Sequence, residues 1–378
     1  MPAMLRFGLL LAVVLPACAG VSPRRDSLRV EDLETRELSA AQARHRGAAI
    51  DRAISAVVQR RYDEAEAAAQ QALTIDPRAA RAHAIQAMVT LQRAQVDDPP
   101  DLRLTNTAEA RMNLAARIDP SDPFVGWMYA VMLAQMGHVT AAAETAEAFL
   151  ARARNASDDE RAALLGIAGT YRYELGEENA ALPHLQGYVA LRRDDAAAQF
   201  RLGSSLLRIA AVPVGLPPRS LRTARGQAAD AAKAFERCWE LAPGDEDAAL
   251  AVATALLRAA ELDKQLGESA ASTVRERAVQ QLQAVAEQFP VSGEALFRLG
   301  VLAEAQQDLD GARARFQDAL QRDPAHLGAL LDLAALCEAA GQHDEATALL
   351  QRVVKDASAR ERLSDDEWRR LVERLQRG

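Results

Sequence analysis

Aromatic residues are scarce in this sequence. Only 4% of its 378 residues are Phe, Trp or Tyr, although 49% are hydrophobic. The apolar content is therefore mostly Ala, Leu and Val, and Ala and Leu are strong helix formers. Runs of β-branched residues long enough for a strand are almost absent outside the termini. This composition argues against a sheet-based domain and predicts an all-α fold.

Cysteine is also rare, with Cys18, Cys238 and Cys337 alone. An odd count without a short Cys-x-x-Cys spacing excludes a disulfide framework and argues against a zinc site. The six histidines are scattered and show no metal-binding pair spacing. We therefore expect no metal and no cofactor, and we expect Cys238 and Cys337 to be small buried core residues.

The sequence lacks an excess of basic residues and recognisable catalytic motifs. Its formal net charge is −8, which gives no basic field for a phosphate backbone, so nucleic acid is not an expected partner. No nucleophile elbow, phosphate-binding loop, dinucleotide fingerprint or paired-carboxylate arrangement is visible. These observations predict a protein without catalytic activity and without a small-molecule substrate.

The N-terminus has no apolar run long enough for a membrane-spanning helix, which needs about 20 residues. Arg6 is followed by the short apolar run 7–14 and by a small-residue site that ends at Cys18. This order is typical of a signal peptide. The ending Leu-Pro-Ala-Cys resembles the lipobox of bacterial lipoproteins, although Pro16 stands where that family prefers a small residue.

The lipobox resemblance implies that residues 1–17 are a signal peptide and that Cys18 carries the lipid. Residues 18–27 would then form the tether. Ala19 after the cysteine implies the outer membrane, with the protein on its periplasmic face. Ordinary signal cleavage is the alternative, and it would leave a soluble periplasmic protein.

Internal repeats are visible in the C-terminal third. Residues 293–326 and 327–360 are both 34 residues long, and in the first Leu299-Gly300 is followed by Ala312, Phe316 and Pro324. This pattern and period resemble the tetratricopeptide repeat (TPR) family. The resemblance extends over residues 46–360 and implies a right-handed superhelix, or α-solenoid, of about eight helix-turn-helix repeats. The predicted repeats are 46–79, 80–122, 123–156, 162–195, 196–245, 246–292, 293–326 and 327–360.

Small residues are expected where the two helices of each repeat, helix A and helix B, cross. A larger side chain at such a crossing would push the two backbones apart. All sixteen positions are Ala or Gly. In helix A they are Ala53, Ala87, Ala130, Gly169, Gly203, Ala253, Gly300 and Ala334; in helix B they are Ala65, Ala108, Ala142, Ala181, Ala231, Ala278, Ala312 and Ala346.

Both ends of a repeat array expose an apolar face that needs a cap. Residues 28–45 are predicted to form an N-terminal capping helix. Residues 361–378 are predicted to form a C-terminal capping helix, opened by a Ser364-x-x-Glu367 capping box.

In the family, helix A lines the concave face, and this resemblance implies a groove that binds protein segments. The candidate groove residues are Phe124, Trp127, Phe200, Phe297 and Tyr173. A further row, one turn along helix A, consists of Ile54, Met88, Val131, Thr170, Ser204, Thr254, Val301 and Ala335. The alternative is that the aromatic residues only fill the packing between repeats. The groove lacks the Lys and Asn cluster that binds a C-terminal carboxylate in cochaperone repeats.

Three repeats carry extra residues between helix A and helix B. The longest insertion exposes Val212, Val214 and Leu216 among prolines, a composition suited to an extended partner chain. These three residues are a second candidate site. Tolerance of added loop length, which costs little free energy, is the alternative.

Together these patterns predict a non-catalytic scaffold on the periplasmic face of the outer membrane. Its expected partners are envelope proteins that offer an apolar extended or helical segment, and its membrane contact is the lipid anchor. It would assist assembly of a pilus, a secretion system or an outer-membrane machine. A docking subunit of a solute-uptake or export system is the alternative, as is a soluble periplasmic adaptor if Cys18 is not lipidated.

Overall fold

The computed structural model describes residues 29–96, 99–211 and 215–377, and within them it has eighteen α-helices and no strand. The chain divides into two compact units, Met1–Ser205 and Leu206–Gly378. In chain order, sixteen helices follow the alternation of helix A and helix B at the eight predicted repeats. The all-α fold and the number of repeats are therefore confirmed.

The helices of unit 1 end in the middle of α9. They are α1 (Ala40–Val58), α2 (Tyr62–Ile75), α3 (Ala80–Ala94), α4 (Leu102–Ile118), α5 (Pro123–Gln135), α6 (Val139–Arg152), α7 (Asp158–Glu174), α8 (Glu178–Leu191) and α9 (Ala196–Ile209). In unit 2 follow α10 (Pro218–Leu241), α11 (Glu246–Leu266), α12 (Ala271–Gln288), α13 (Glu294–Ala305), α14 (Leu309–Arg322), α15 (Leu327–Ala339), α16 (His343–Lys355), α17 (Ala357–Arg362) and α18 (Asp365–Arg377).

Side-chain caps set where many of these helices begin. The first turn of a helix leaves backbone N–H groups without intrahelical partners, and a preceding Ser or Asp oxygen can accept from them. Ser157 accepts from Glu160 in a complete capping box. Five further N-caps with such a bond are aspartates, namely Asp101, Asp122, Asp245, Asp308 and Asp356.

All sixteen predicted crossing positions are buried. A Cβ on Gly169 would lie 3.1 Å from the backbone nitrogen of Leu185, and a Cβ on Gly300 would lie 2.5 Å from the Phe316 ring. Helix B therefore approaches helix A at distances that leave no room for a side chain at these glycines. The physical reason for the small residues is confirmed.

The turn between helix A and helix B has a left-handed residue in several repeats. Gly137, Gly176 and Gly341 hold it in repeats three, four and eight, at φ values of 81°, 74° and 76°. Arg60 holds it in repeat one at 56°, and Gln307 in repeat seven at 65°. A residue with a Cβ is strained in this region by about 1–2 kcal/mol. Arg60 and Gln307 therefore occupy positions that glycine would fill without strain.

The prediction of a capping helix at 28–45 is wrong. The segment has one 3-10 turn, Val30–Asp32, and helix α1 begins only at Ala40, behind the N-cap Ser39. Arg78 donates hydrogen bonds from its guanidinium to the carbonyls of Val30 and Leu33, at 3.2 Å each. These bonds tie the segment to the loop that follows α2.

The C-terminal cap is confirmed. Ser364 and Glu367 form the predicted capping box in front of α18. Leu371 of α18 is 2% exposed and belongs to the apolar cluster that contains Leu350 of α16. Arg374 pairs with Glu338 at 3.0 Å. Helix α18 thus covers the apolar side of the last repeat.

Each unit has its own apolar core. Cys238 and Cys337 are 1% and 0% exposed, as expected of small core residues. In the described part of the chain, no helix has the length and apolar character that crossing a membrane requires.

Candidate functional site

Unit 1 contains a cavity of about 300 Å³, which we call the unit-1 cavity. Helix A of each of the first five repeats contributes to its wall, together with the start of α2 and two residues of α8. The residues that line it are Val57, Val58, Arg60, Tyr62, Met88, Gln92, Trp127, Met128, Val131, Gln135, Ala163, Gly166, Ile167, Thr170, Tyr171, Leu185, Tyr188, Asp195, Ala198 and Arg201.

A second, shallower depression of about 630 Å³ lies between α1 and α2. Its lining is mostly alanine and polar side chains, without an aromatic or a large aliphatic residue. Protein-binding sites concentrate their affinity on buried aromatic and large apolar anchors. The unit-1 cavity is therefore the better candidate.

The wall of the unit-1 cavity is mainly apolar. Trp127 lies half-buried on α5, and its ring centroid is 5.8 Å from that of Phe124. Met88 and Val131 lie on the neighbouring surfaces of α3 and α5. A Cβ on Gly166 would lie 2.9 Å from the Tyr188 ring, so a larger residue there would displace the ring.

Polar side chains from three helices, α2, α3 and α5, meet at one part of this wall. The Tyr62 hydroxyl donates to Gln92 Oε1 at 3.3 Å, and Gln92 Nε2 donates to Gln135 Oε1 at 3.0 Å. The three groups satisfy one another in part and keep further donor and acceptor capacity. A bound polypeptide could use that capacity for its own backbone groups.

Tyr188 and Asp195 form a second polar pair. The Tyr188 hydroxyl donates to Asp195 Oδ2 at 2.8 Å, and Asp195 Oδ1 accepts the backbone N–H of Ala198 at 2.9 Å. Burial and the hydrogen bond to Asp195 raise the pKa of Tyr188. Burial also raises the pKa of Tyr171. Both phenols are therefore neutral near pH 7.

Two arginines line the unit-1 cavity without an ion-pair partner. Arg60 is exposed at the α1–α2 turn, and Arg201 is half-buried on α9. Among the residues that the structure describes, no carboxylate oxygen lies within 4 Å of either guanidinium. The one acidic residue in the lining, Asp195, is engaged by Tyr188 and the backbone of α9.

The structure brings two of the predicted groove residues together. Trp127 lines the cavity, whereas Phe124 is 6% exposed and lies behind it. The Arg81 guanidinium lies 5.5 Å from the Phe124 ring centroid and pairs with Asp122 at 2.7 Å. Phe124 therefore supports the position of Trp127 and has little surface for a ligand.

Tyr173 and Phe200 are half-buried on α7 and α9, and the lining of the unit-1 cavity does not include them. Their neighbours Tyr171 and Arg201 do line it. Met88, Val131 and Thr170, from the row one turn further along helix A, also line it. The binding role of all these residues stays a prediction.

Phe297 lies in unit 2, where it packs between repeats seven and eight. Its ring centroid is 4.8 Å from that of His326 and 5.8 Å from that of Phe316. A Cβ on Gly328 would lie 2.7 Å from the Phe297 ring. These contacts favour the packing interpretation for Phe297, and its role in binding remains a prediction.

The other predicted sites are described in part. Val212, Val214 and Cys18 lie outside the described residues. Leu216 is half-buried and packs against the small apolar cluster that contains Leu221 and Leu262. Within the described ranges, no group of three or more His, Cys, Asp or Glu residues is placed to hold a metal ion.

Sequence reasoning missed Arg60, Arg201 and Tyr188. One signal could have found Arg60: it occupies the turn position where three other repeats have glycine. Arg201 directly follows the predicted groove residue Phe200. Tyr188 lies on a helix B, which the groove pattern does not consider.

Comparison with known solved structures gives distant similarity only. YrrB, a TPR protein with an unusual peptide-binding site, is 18% identical with a TM-score of 0.42, over 58% of this chain and 95% of that one. PilF of Pseudomonas aeruginosa is 17% identical with a TM-score of 0.39, over 66% and 94%. The C-terminal part of a TPR repeat-containing protein from Cytophaga hutchinsonii is 15% identical with a TM-score of 0.45, over 74% and 98%.

The sequence matches two protein-family models. No curated protein matches the sequence. One model described as tetratricopeptide repeat matches residues 303–375, and a second model of the same description matches residues 50–98 and 275–325. The matched ranges coincide with helix pairs at both ends of the array. The chain therefore carries tetratricopeptide repeats over these ranges.

Proposed function

We propose that this protein is a non-catalytic scaffold of the bacterial envelope and that the unit-1 cavity binds a segment of a partner protein. TPR repeats indicate a protein–protein interaction scaffold. The observation that carries the proposal for the cavity is its lining: helix A of five successive repeats surrounds an apolar space that contains Trp127. Partly exposed aromatic residues beside apolar neighbours are common anchors of protein interfaces.

The envelope location rests on the sequence alone. The order of Arg6, an apolar run and Leu-Pro-Ala-Cys18 supports a lipid anchor. More than one acyl chain on Cys18 would hold the protein stably at a membrane, since a single chain binds only marginally. The proposed location is the periplasmic face of the outer membrane, and the proposed role is assembly of an envelope complex.

Photocrosslinking in the native envelope tests the binding site. Val58 lines the cavity at its rim and is 41% exposed, so a photoreactive phenylalanine fits there without disturbing the core. Val354 on α16 is 39% exposed and does not line the cavity, which makes it a matched control. We expect a discrete protein adduct from position 58 that disappears in the Trp127→Ala background. Equal adducts from both positions, or none from position 58, would contradict the proposal.

A further inference from the structure

The charges around the unit-1 cavity do not balance. Arg60 and Arg201 carry two positive charges without an ion-pair partner, and Asp195, the only acidic lining residue, has its oxygens engaged. The whole chain, by contrast, has a net charge of −8. The lining of the cavity thus carries more positive than negative charge on an acidic protein, and a positive lining attracts ligands of negative charge.

The conformation of Arg60 adds a second observation. It holds the left-handed turn position that glycine holds in three other repeats. A residue kept in a strained conformation is often kept for its side chain. Here that side chain lies at the rim of the cavity. Gln307, which has the same strained turn position in repeat seven, does not line the cavity.

Arg201 lies among the neutral donors of the cavity wall. Its guanidinium lowers the pKa of both the Tyr171 and the Tyr188 hydroxyl, although the Glu174 carboxylate raises the pKa of Tyr171 by more. Tyr171 shares the cavity with the apolar side chains of Met88 and Trp127. An acidic ligand group would therefore find a charged donor and a hydroxyl next to an apolar surface, and charge-assisted hydrogen bonds of this kind are the stronger ones.

Resting on the proposed function, we infer that the unit-1 cavity selects partner segments in which an acidic side chain lies beside an apolar one. The apolar side chain enters the space next to Trp127, and the carboxylate pairs with Arg201 and is attracted by Arg60. The chain's own tether, residues 18–27, is a poor occupant, because it carries Arg24 and Arg25 against the single acidic residue Asp26.

An unbiased peptide library tests the inference. Random twelve-residue peptides, fused through their C-terminal ends so that no free C-terminal carboxylate is present, are selected on the full chain in detergent. Four proteins are compared: wild type, Trp127→Ala, the double variant Arg60→Gln/Arg201→Gln, and the control Arg154→Gln/Arg161→Gln. The control arginines are exposed, lie outside the cavity lining and give the same change in net charge.

We expect the wild type and the control to enrich peptides with Asp or Glu within two positions of Leu, Ile, Phe or Met. We expect the double variant to lose this enrichment while its melting curve stays unchanged, since neither arginine holds an ion pair in the described structure. The most enriched peptide should lose about tenfold or more in affinity for the double variant. Replacing the acidic residue of that peptide by its amide should reduce affinity for the double variant no more than it reduces affinity for the wild type. The two changes remove the same interaction, so their effects on affinity are not additive.

The possible outcomes distinguish the charge selection from the role of the unit-1 cavity as the binding site. Enriched peptides without acidic residues, bound equally by wild type and double variant but not by Trp127→Ala, would overturn the charge selection and leave the binding site standing. The same enrichment on wild type and Trp127→Ala would overturn the cavity as the binding site, and the charge selection with it. Enrichment of peptides carrying Lys or Arg would also overturn the inference.

Discussion

The Cβ that Gly300 lacks would lie 2.5 Å from the ring of Phe316, where helix A faces helix B in repeat seven. Gly300 and Phe316 are both buried. The ring thus fills the space that a side chain on α13 would need. This contact explains why repeat seven has glycine at the crossing position of helix A and can carry a phenylalanine on helix B.

Replacing Gly300 with Ala should therefore destabilise the protein by about 1–3 kcal/mol, because the ring of Phe316 must move. Gly47→Ala is the matched control: Gly47 also lies inside a helix, and no atom lies within 4 Å of its missing Cβ. That control should stabilise α1 by about 0.5–1 kcal/mol. Urea denaturation of both variants measures the difference. Two changes of the same sign would refute the packing account.

Acid should weaken unit 2 through Glu294. Glu294 Oε2 lies 3.0 Å from His326 Nε2, and Oε1 accepts from Arg298 Nε at 2.6 Å. The hydrogen bond from His326, followed by that from Arg298, lowers the pKa of Glu294 from 4.5 to about 2. Because the folded pKa is the lower one, the carboxylate stabilises the fold above about pH 4.5 and this contribution disappears as the pH falls towards 2.

Melting temperatures of wild type and Glu294→Gln between about pH 7 and pH 2 test this linkage. The wild type should melt higher at neutral pH, and the gap should close as the pH falls below about 4.5. A gap that stays constant over the whole range would show that the carboxylate charge of Glu294 is not the cause.

Replacing Arg60 with glycine should raise the stability of the protein and weaken its binding of an acidic peptide. Arg60→Gly removes the strain of a left-handed residue, and we expect a gain of about 1 kcal/mol in unfolding free energy. Gln307→Gly should give a similar gain, since it has the same turn position. Only Arg60→Gly should weaken binding of an acidic peptide. Urea denaturation and fluorescence anisotropy on both variants measure this, and equal binding by the two would remove Arg60 from the site.

Cys18 should carry the lipid. A Cys18→Ser protein should leave the membrane fraction or remain unprocessed, and it should not incorporate labelled fatty acid. Cys337→Ala is the control, because Cys337 is a buried core residue that no lipid could reach in the folded chain. A Cys18→Ser protein that is processed normally and stays membrane-bound would contradict the anchor.

The parts of the fold that local spacing determines could be predicted from the sequence. The spacing of Gly300 and Ala312 in the sequence predicts where two helices cross, and the spacing of Ser364 and Glu367 predicts the start of a helix. The N-terminal segment could not be predicted in this way. It is bonded to Arg78 through carbonyls 45 and 48 residues earlier, and local spacing does not encode such long-range bonds.

The candidate site was likewise predictable only where it depends on the pattern within one helix. Trp127 and Val131 follow from the helical register, which tells which side of α5 faces the groove. Arg60 and Arg201 belong to repeats one and five, and they share a cavity only because four successive repeat-to-repeat packings bring α9 near the end of α1. Small rotations at each packing add up, and the sequence pattern does not contain them.

Filling the cavity tests the central claim most directly. Ala163 lies half-buried on the cavity wall, so Ala163→Phe occupies the space from one side while Trp127→Ala removes the anchor from the other. The measurement is the yield of the partner adduct from photoreactive position 58, taken together with the melting curve of each protein. The account predicts loss of the adduct in both variants with melting temperatures close to wild type. Full adduct yield in both variants would show that the unit-1 cavity is not where this protein binds its partner.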